Sequence, residues 1–205
     1  MLVKTIMLPK EKLITISSKA TIQEALTTIE ENNFLSIPVV EGNKFFGSVS
    51  KDKIYEYYYE KCPERQCFLS DFLVEKVMRT DVPIIKSSEL VENAAYFLEK
   101  KNIAFVAVVD NEEFKGIITH HAIFHEFTKQ VGLNKGRRLS IVAYDVPGQI
   151  SKLTNIVARN GGDILSCVVM DPESVLDVKE IVLRITTNDF NLIEDKIKDA
   201  GFKIQ

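Results

Sequence analysis

Apolar residues recur along the chain in two blocks with one rhythm. Ile22, Ala25, Leu26 and Ile29 fall at i, i+3, i+4 and i+7, the spacing that places side chains on one face of a helix. Val91, Ala94, Ala95 and Leu98 form a second such stripe. Sliding the chain against itself by 69 residues (116 − 47) lays Gly47 on Gly116, Ser18 on Ser87, Ala25 on Ala94, Asn33 on Asn102, Phe45 on Phe114 and Ile54 on Ile123. Each stripe is followed by a short apolar run, Ser36-Ile37-Pro38-Val39-Val40 or Phe105-Val106-Ala107-Val108-Val109. A polar turn comes next (Glu41-Gly42-Asn43; Asp110-Asn111-Glu112), then a second strand ending Gly47-Ser48-Val49-Ser50 or Gly116-Ile117-Ile118-Thr119, and a closing helix. Strand, turn and strand predict a hairpin, and residues 13–17 and 83–87 read as a further strand before each helix. Thr21 and Glu24 predict a capping box in the first copy, whereas Leu90 leaves the second without one. One such unit has a single sheet face to bury, and two can share a core.

The rhythm changes at Arg137. Leu139-Ser140-Ile141-Val142-Ala143-Tyr144 reads as a strand, and Asp145-Val146-Pro147-Gly148 turns the chain. Ile150, Leu153, Ile156 and Val157 share a helical face that Gly161-Gly162 terminates. Two strands follow at 164–170 and 180–186, then a helix carrying Leu192, Ile193, Ile197 and Ala200, and a last strand at 202–204. The order βαββαβ is the ferredoxin-like arrangement, so the chain is expected to be an α/β (α+β) protein with domains at 1–65, 66–133 and 137–205.

Composition narrows the function. With 205 residues, 45% hydrophobic and 27% charged, the chain suits two globular domains. A formal charge of −3 lacks the broad basic surface that non-specific nucleic-acid binding needs. No apolar run reaches membrane-spanning length, and residues 1–12 lack an uninterrupted apolar core. The expectation is a cytoplasmic protein with neither nucleic acid nor membrane as partner. Cys62, Cys67 and Cys167 cannot all pair and form no zinc pattern, which predicts incidental thiols.

The doubled order resembles the CBS domain, a module that occurs in tandem pairs. The resemblance rests on Ile37-Pro38-Val39-Val40, Gly47-Ser48-Val49-Ser50, Val77-Met78 and Gly116-Ile117-Ile118-Thr119. It implies two repeats packed as a pseudo-twofold pair with nucleotides in the cleft between them. Asp145-x-Pro147-Gly148-x-Ile150-x-x-Leu153 is similar to the opening of the ACT domain, which implies amino-acid binding at Asp145, Gly148, Gln149 and Ile150. A helix N-terminus there suits a carboxylate. In the CBS family a hydroxyl after Gly-h-h reaches phosphate or ribose, and an Asp three positions on grips the ribose. Ser50 and Thr119 fit the hydroxyl, but Lys53 and Ala122 occupy the Asp position, and Asp52 sits one place early, a helical rotation of about 100°.

Cationic donors stand in its place: Lys10, Lys12, Lys51 and Lys53 in the first copy, and His120 and His121 after Thr119. Such donors suit a cyclic dinucleotide, whose ribose 3′ oxygens are tied up in phosphodiesters. Val77-Met78-Arg79-Thr80-Asp81-Val82-Pro83 and residues 114–121 resemble bacterial CBS–ACT proteins related to cyclic di-AMP receptors and to acetoin-utilisation-type regulators. That resemblance leads to arginines where this chain has His120 and His121, so affinity should rise as pH falls through about 6.5. The expected ligand is cyclic di-AMP, contacted by Lys12, Ile14, Ser36, Ile37, Pro38, Ser50, Phe105, Thr119, His120 and His121. AMP, ADP or ATP is the alternative, and a protein–protein adaptor with vestigial clefts is another.

Other constellations point to structure. His121 and His125 have metal-clamping spacing without a third ligand, so no metal and no cofactor are expected. Tyr55, Tyr57, Tyr58 and Tyr59 read as core or interface rather than a stacking platform. Lys135-Gly136-Arg137-Arg138 reads as a solvated linker. No phosphate-binding Gly-rich loop and no G-x-S-x-G turn is present. The reading is a non-enzymatic regulator, homodimeric as both module families usually are, acting on an unidentified protein partner.

Overall fold

The computed structural model describes residues 1–62, 67–172 and 177–205, so the expected boundary at 65/66 lies outside the described residues. The chain divides into two units, Met1–Phe124 and His125–Gln205.

In the first unit β1 (Leu8–Pro9) precedes α1 (Ile22–Glu31), β2 (Ser36–Glu41), β3 (Lys44–Ser50) and α2 (Lys51–Lys61). The second copy runs β4 (Ile84–Ile85), α3 (Val91–Lys100), β5 (Phe105–Asp110), β6 (Glu113–Thr119) and α4 (His120–Gln130). Thr21 Oγ1 accepts from the Glu24 N–H at 3.1 Å, and the Glu24 carboxylate accepts from the Thr21 N–H at 2.7 Å, so the capping box that starts α1 is present. Leu90 supplies no side-chain cap to α3. All four residues of the first stripe are buried, as are Val91, Ala94 and Leu98 of the second.

The hairpins match in detail. Each carries an irregularity at the same repeat position, between Val39 and Val40 and between Val108 and Val109. Gly42 turns one (φ +57°), and Asn111 and Glu112 turn the other (φ +50° and +65°), the left-handed backbone that tight hairpins require. The expected strand at 13–17 contracts to one parallel bridge, Ile16 with Val39, whose repeat counterpart is Ile85 with Val108. Its extension stops because Ser17 and Ser18 turn to Glu41: both hydroxyls (2.7 and 2.9 Å) and the Ser18 N–H (2.8 Å) donate to one carboxylate oxygen. These bonds, the Ser17 hydroxyl's foremost, hold the Glu41 carboxyl below its usual 4.5. Asp110 receives the Ser87 N–H at 3.0 Å in the second copy.

The repeats interlock by exchange. β1, from before the first copy, pairs with β6 of the second, giving a sheet ordered β1-β6-β5-β4. Arg79, from before the second copy, pairs with Ser48 of the first through N–H···O bonds of 2.7 and 2.9 Å. Each crossing is close enough that only glycine fits: a Cβ on Gly47 would lie 2.2 Å from the Arg79 carbonyl oxygen, and one on Gly116 2.2 Å from that of Leu8. Phe45 and Phe114, equivalent in the repeat, stack at 5.2 Å with Phe105 edge-on to Phe45 at 6.4 Å. Val40, Val82 and Ile117 complete this shared core.

The second unit continues with β7 (Arg137–Tyr144), α5 (Gln149–Arg159), β8 (Asp163–Met170), β9 (Val178–Thr186), α6 (Phe190–Asp199) and β10 (Lys203–Ile204). Its antiparallel sheet is ordered β10-β7-β9-β8, the ferredoxin-like pattern. Leu153, Val157, Ile193 and Ile197 are buried between helices and sheet. Two expected core residues are not: Ile150 is 45% and Leu192 40% exposed, each in the first turn of its helix. Of the expected solvated linker, all four residues are exposed, but only Lys135 and Gly136 precede the strand. Arg137 and Arg138 lie in β7, where Arg137 sits 3.5 Å from the Phe190 ring centroid and Arg138 is 3.4 Å from Glu180. Cys62 and Cys67, expected as incidental thiols, form a disulfide with Cα atoms 6.1 Å apart.

Candidate functional site: paired clefts in the first unit

Two cavities open in the first unit where the repeats meet. The less polar one, about 500 Å³, has a floor of Ile37, Pro38 and Ile117 and a rim of Leu8, Leu13 and Ile14. Nine of the ten nucleotide-site residues expected from sequence reach it. Ser36, Ile37 and Pro38 come from the start of β2, Phe105 from the start of β5, and Lys12 and Ile14 from the segment before α1. Thr119, His120 and His121 arrive where β6 becomes α4. The Thr119 hydroxyl accepts from the Ala122 N–H at 3.2 Å, which leaves its proton to donate. The cavity is of ligand size and combines apolar walls with few polar groups, the usual composition of a small-molecule site.

Ser50, the tenth residue, lies in the adjoining, more polar cavity of about 670 Å³. Its hydroxyl makes no capping bond to α2. Ser48, Lys51, Asp52, Tyr55, Arg79 and Asn102 line the same space. Asp52 faces this cavity and Lys53, at the expected Asp position, does not line it; the two are consecutive residues of α2, which starts at Lys51 after an extended Ser50 (φ −129°, ψ 158°). Arg79 is held by Asp81 (2.5 and 3.1 Å) and donates to the Asn102 carbonyl at 2.7 Å. The hydrogen bond to Asp81, reinforced by the charges of Asp81 and Asp52, raises its already high pKa.

The lysines divide. Lys10 donates to the Gly42 carbonyl (2.6 Å) and to Asn43 Oδ1 (2.7 Å), Lys53 pairs with Glu56 at 2.5 Å, and Lys51 pairs with Glu30 at 2.6 Å. Lys12 reaches the less polar cavity. Of the tyrosines, Tyr55 lines the polar cavity and stacks on Tyr59 (6.4 Å), while Tyr57 packs edge-on to Phe72 (5.5 Å) and the Tyr58 hydroxyl donates to the Cys67 carbonyl at 2.8 Å. Phe34, Leu35 and Ala104 line both cavities and were not anticipated. They precede β2 and β5, outside the strand and glycine motifs.

In the second unit Asp145, Gly148, Gln149 and Ile150 border a cavity of about 450 Å³ at the start of α5. Gly148 takes φ +92° at the N-cap and supplies no side chain there. Lys179 lies 3.3 Å from Asp145 and 2.7 Å from Asp171, and these bonds, Asp171's foremost, raise its pKa. Among the described residues no group of three or more His, Cys, Asp or Glu could hold a metal, and no helix is long and apolar enough to cross a membrane.

A duplicated α/β unit whose halves enclose two ligand-sized clefts is the arrangement of a tandem regulatory module. The profile of the CBS domain matches residues 3–60 and 74–129, and the chain belongs to the CBS-domain family. Solved structures share the fold. CbpB from Listeria monocytogenes is 28% identical with a TM-score of 0.51, over 60% of this chain and 96% of that one. A CbpB in complex with c-di-AMP is 17% identical (TM-score 0.53; 63% and 85% covered). CBSX2 in complex with AMP is 20% identical (TM-score 0.54; 62% and 96% covered).

Proposed function

We propose that this CBS-domain regulatory protein senses an adenine nucleotide without catalysing a reaction, with cyclic di-AMP as the favoured ligand. The observation that carries the reading is the convergence of Lys12, Ile14, Pro38, Phe105, Thr119 and His120 on one apolar cleft. Ile14, Pro38 and Phe105 offer flat apolar contact to adenine, and Lys12, Thr119 and the imidazoles offer donors to phosphate. The start of α4 adds backbone N–H groups to the same end. Bound ligand would bias the relative arrangement of the repeats by its differential affinity for their states, and so change the surface shown to a protein partner.

Residues 137–205 would act as an ACT-like module taking an amino acid, its carboxylate at the start of α5 and its ammonium at Asp145. Repeats at 1–65 and 66–133, a homodimer and a cytoplasmic location complete the proposal. A mononucleotide such as AMP is the second reading, because Ser50 and Asp52 share the polar cavity and together suit a free ribose diol.

A thermal-shift panel on the intact chain separates these readings. A ligand at about 100 times its dissociation constant stabilises by about 2.7 kcal/mol. A rise with cyclic di-AMP alone supports the main reading, and a rise with AMP, ADP or ATP supports the second. No rise with any nucleotide refutes both and leaves an adaptor with unused clefts. A rise with an amino acid that Asp145→Asn abolishes supports the ACT-like module.

A further inference from the structure

We propose that the two clefts are the halves of one groove, and that a single cyclic dinucleotide occupies both, with one adenine in each. The inference rests on the cyclic di-AMP reading and adds to it the ligand's placement.

Contiguity comes first. Phe34, Leu35, Ser36, Ala104, Phe105 and His120 line both cavities, so a single ridge separates them. Symmetry comes next. Under the repeat, Ser36 is equivalent to Phe105 and Leu35 to Ala104, so the ridge is built from both copies of one position, as a twofold relation between the clefts requires. The walls obey the same relation. Ser50, Lys51 and Asp52 bring the start of α2 to the polar cleft, and their counterparts Thr119, His120 and His121 bring the start of α4 to the other. Both helices have 11 residues and bring their N-terminal turns there, α2 without a side-chain cap from Ser50 and α4 with Thr119 accepting from the Ala122 N–H.

A cyclic dinucleotide has the matching shape. Its two nucleotides are identical, related by a twofold axis and joined by two phosphodiesters near that axis. Seated on the ridge, it presents one base to each cleft and its phosphates to the hydroxyl and cation pairs Ser50–Lys51 and Thr119–His120. Lys51 now pairs with Glu30, a surface ion pair weak enough to be exchanged for phosphate. Cyclic di-AMP linked 3′ to 5′ keeps both 2′-hydroxyls, and Asp52 can accept from the one on its side. Leu35, 79% exposed on the ridge, would be covered by the ligand.

Isothermal titration of cyclic di-AMP into the intact chain tests the placement, with folding of each variant checked by circular dichroism. Expected are one ligand per chain, about tenfold weaker binding for Asp52→Ala through loss of a charge-assisted hydrogen bond, and at least tenfold for Ile14→Trp, which fills the less polar cleft. Two ligands per chain overturn the proposal, as does an affinity that only one of the two substitutions alters. Those results leave cyclic di-AMP sensing standing, whereas an absence of binding to the unaltered chain removes that reading and this one together.

Discussion

Phe114 is 2% exposed and stacks on its repeat counterpart Phe45 at the shared core. Replacing it with alanine removes a ring from packed surroundings, at a cost of about 3–5 kcal/mol. A domain of this size loses about 4 °C per kcal/mol, so the first unit's melting midpoint should fall by about 12–20 °C. Phe45 is half-buried, and Phe45→Ala should cost about half as much. The informative quantity is their coupling. A stacked aromatic pair contributes about 0.5–1.5 kcal/mol beyond its buried area, so the double variant should lose less than the two single losses combined, by that amount. Urea denaturation of the four proteins, followed by far-ultraviolet circular dichroism, closes the cycle. Phe114→Leu substitutes if the alanine variant is too unstable to measure. A coupling below about 0.3 kcal/mol is what independent sites show, and it would refute the claim that these rings tie the repeats together. Phe105, edge-on to Phe45, lines both clefts, so Phe45→Ala should also weaken nucleotide binding.

Gly116→Ala and Gly47→Ala should each destabilise the first unit by about 1–3 kcal/mol, because the added methyl meets a carbonyl oxygen of the exchanged segment; unchanged urea midpoints would contradict the close crossing. The Glu41 carboxyl, lowered first by the Ser17 hydroxyl and then by Ser18, contributes stability that is fully present above its unfolded value near 4.5 and is lost as pH falls through the lower folded value. Glu41→Gln should therefore flatten the midpoint-versus-pH curve below pH 4.5, and an unaltered slope there would show that these bonds do not persist in solution. Reducing the Cys62–Cys67 disulfide with dithiothreitol should cost about 2 kcal/mol, as expected for so short a loop. Cys62→Ser should then make the midpoint indifferent to reductant, and a wild-type midpoint that ignores it would exclude the bridge.

The repeat was legible because burial imposes a period. A helix that covers a sheet must place apolar residues at i, i+3, i+4 and i+7, and a duplicated gene keeps that constraint in both copies even where the letters differ. Turn chemistry was legible for a similar reason, since few residues tolerate the left-handed backbone that Gly42 and Asn111 adopt. The exchange of β1 and Arg79 between copies was not. A two-residue strand has no period, and its partner is chosen by tertiary approach, whose trace in sequence is the bare requirement for Gly47 and Gly116. Ile150 and Leu192 fit their helical stripes by spacing alone. Each sits in the first turn of its helix, 45% and 40% exposed, while Leu153 and Ile193 further along are buried.

The site divides along the same line. Ile37, Pro38 and Thr119 occupy fixed places in strand motifs, so their position relative to a cleft follows from their position in the motif. Asp52, Tyr55 and Arg79 depend instead on where α2 begins and which strand Arg79 joins, and both are properties of the assembled pair. The same dependence explains the lysines. Lys10 and Lys53 look like phosphate donors as letters, but neither lines either cavity, whereas Lys12 and Lys51 do. The duplication has thus kept one backbone frame at two places and varied its charge, Ser-Lys-Asp against Thr-His-His. A frame kept twice with different side chains can seat the two equivalent halves of a symmetric ligand unequally, and the half beside Asp52 then gains a carboxylate acceptor that the other half lacks.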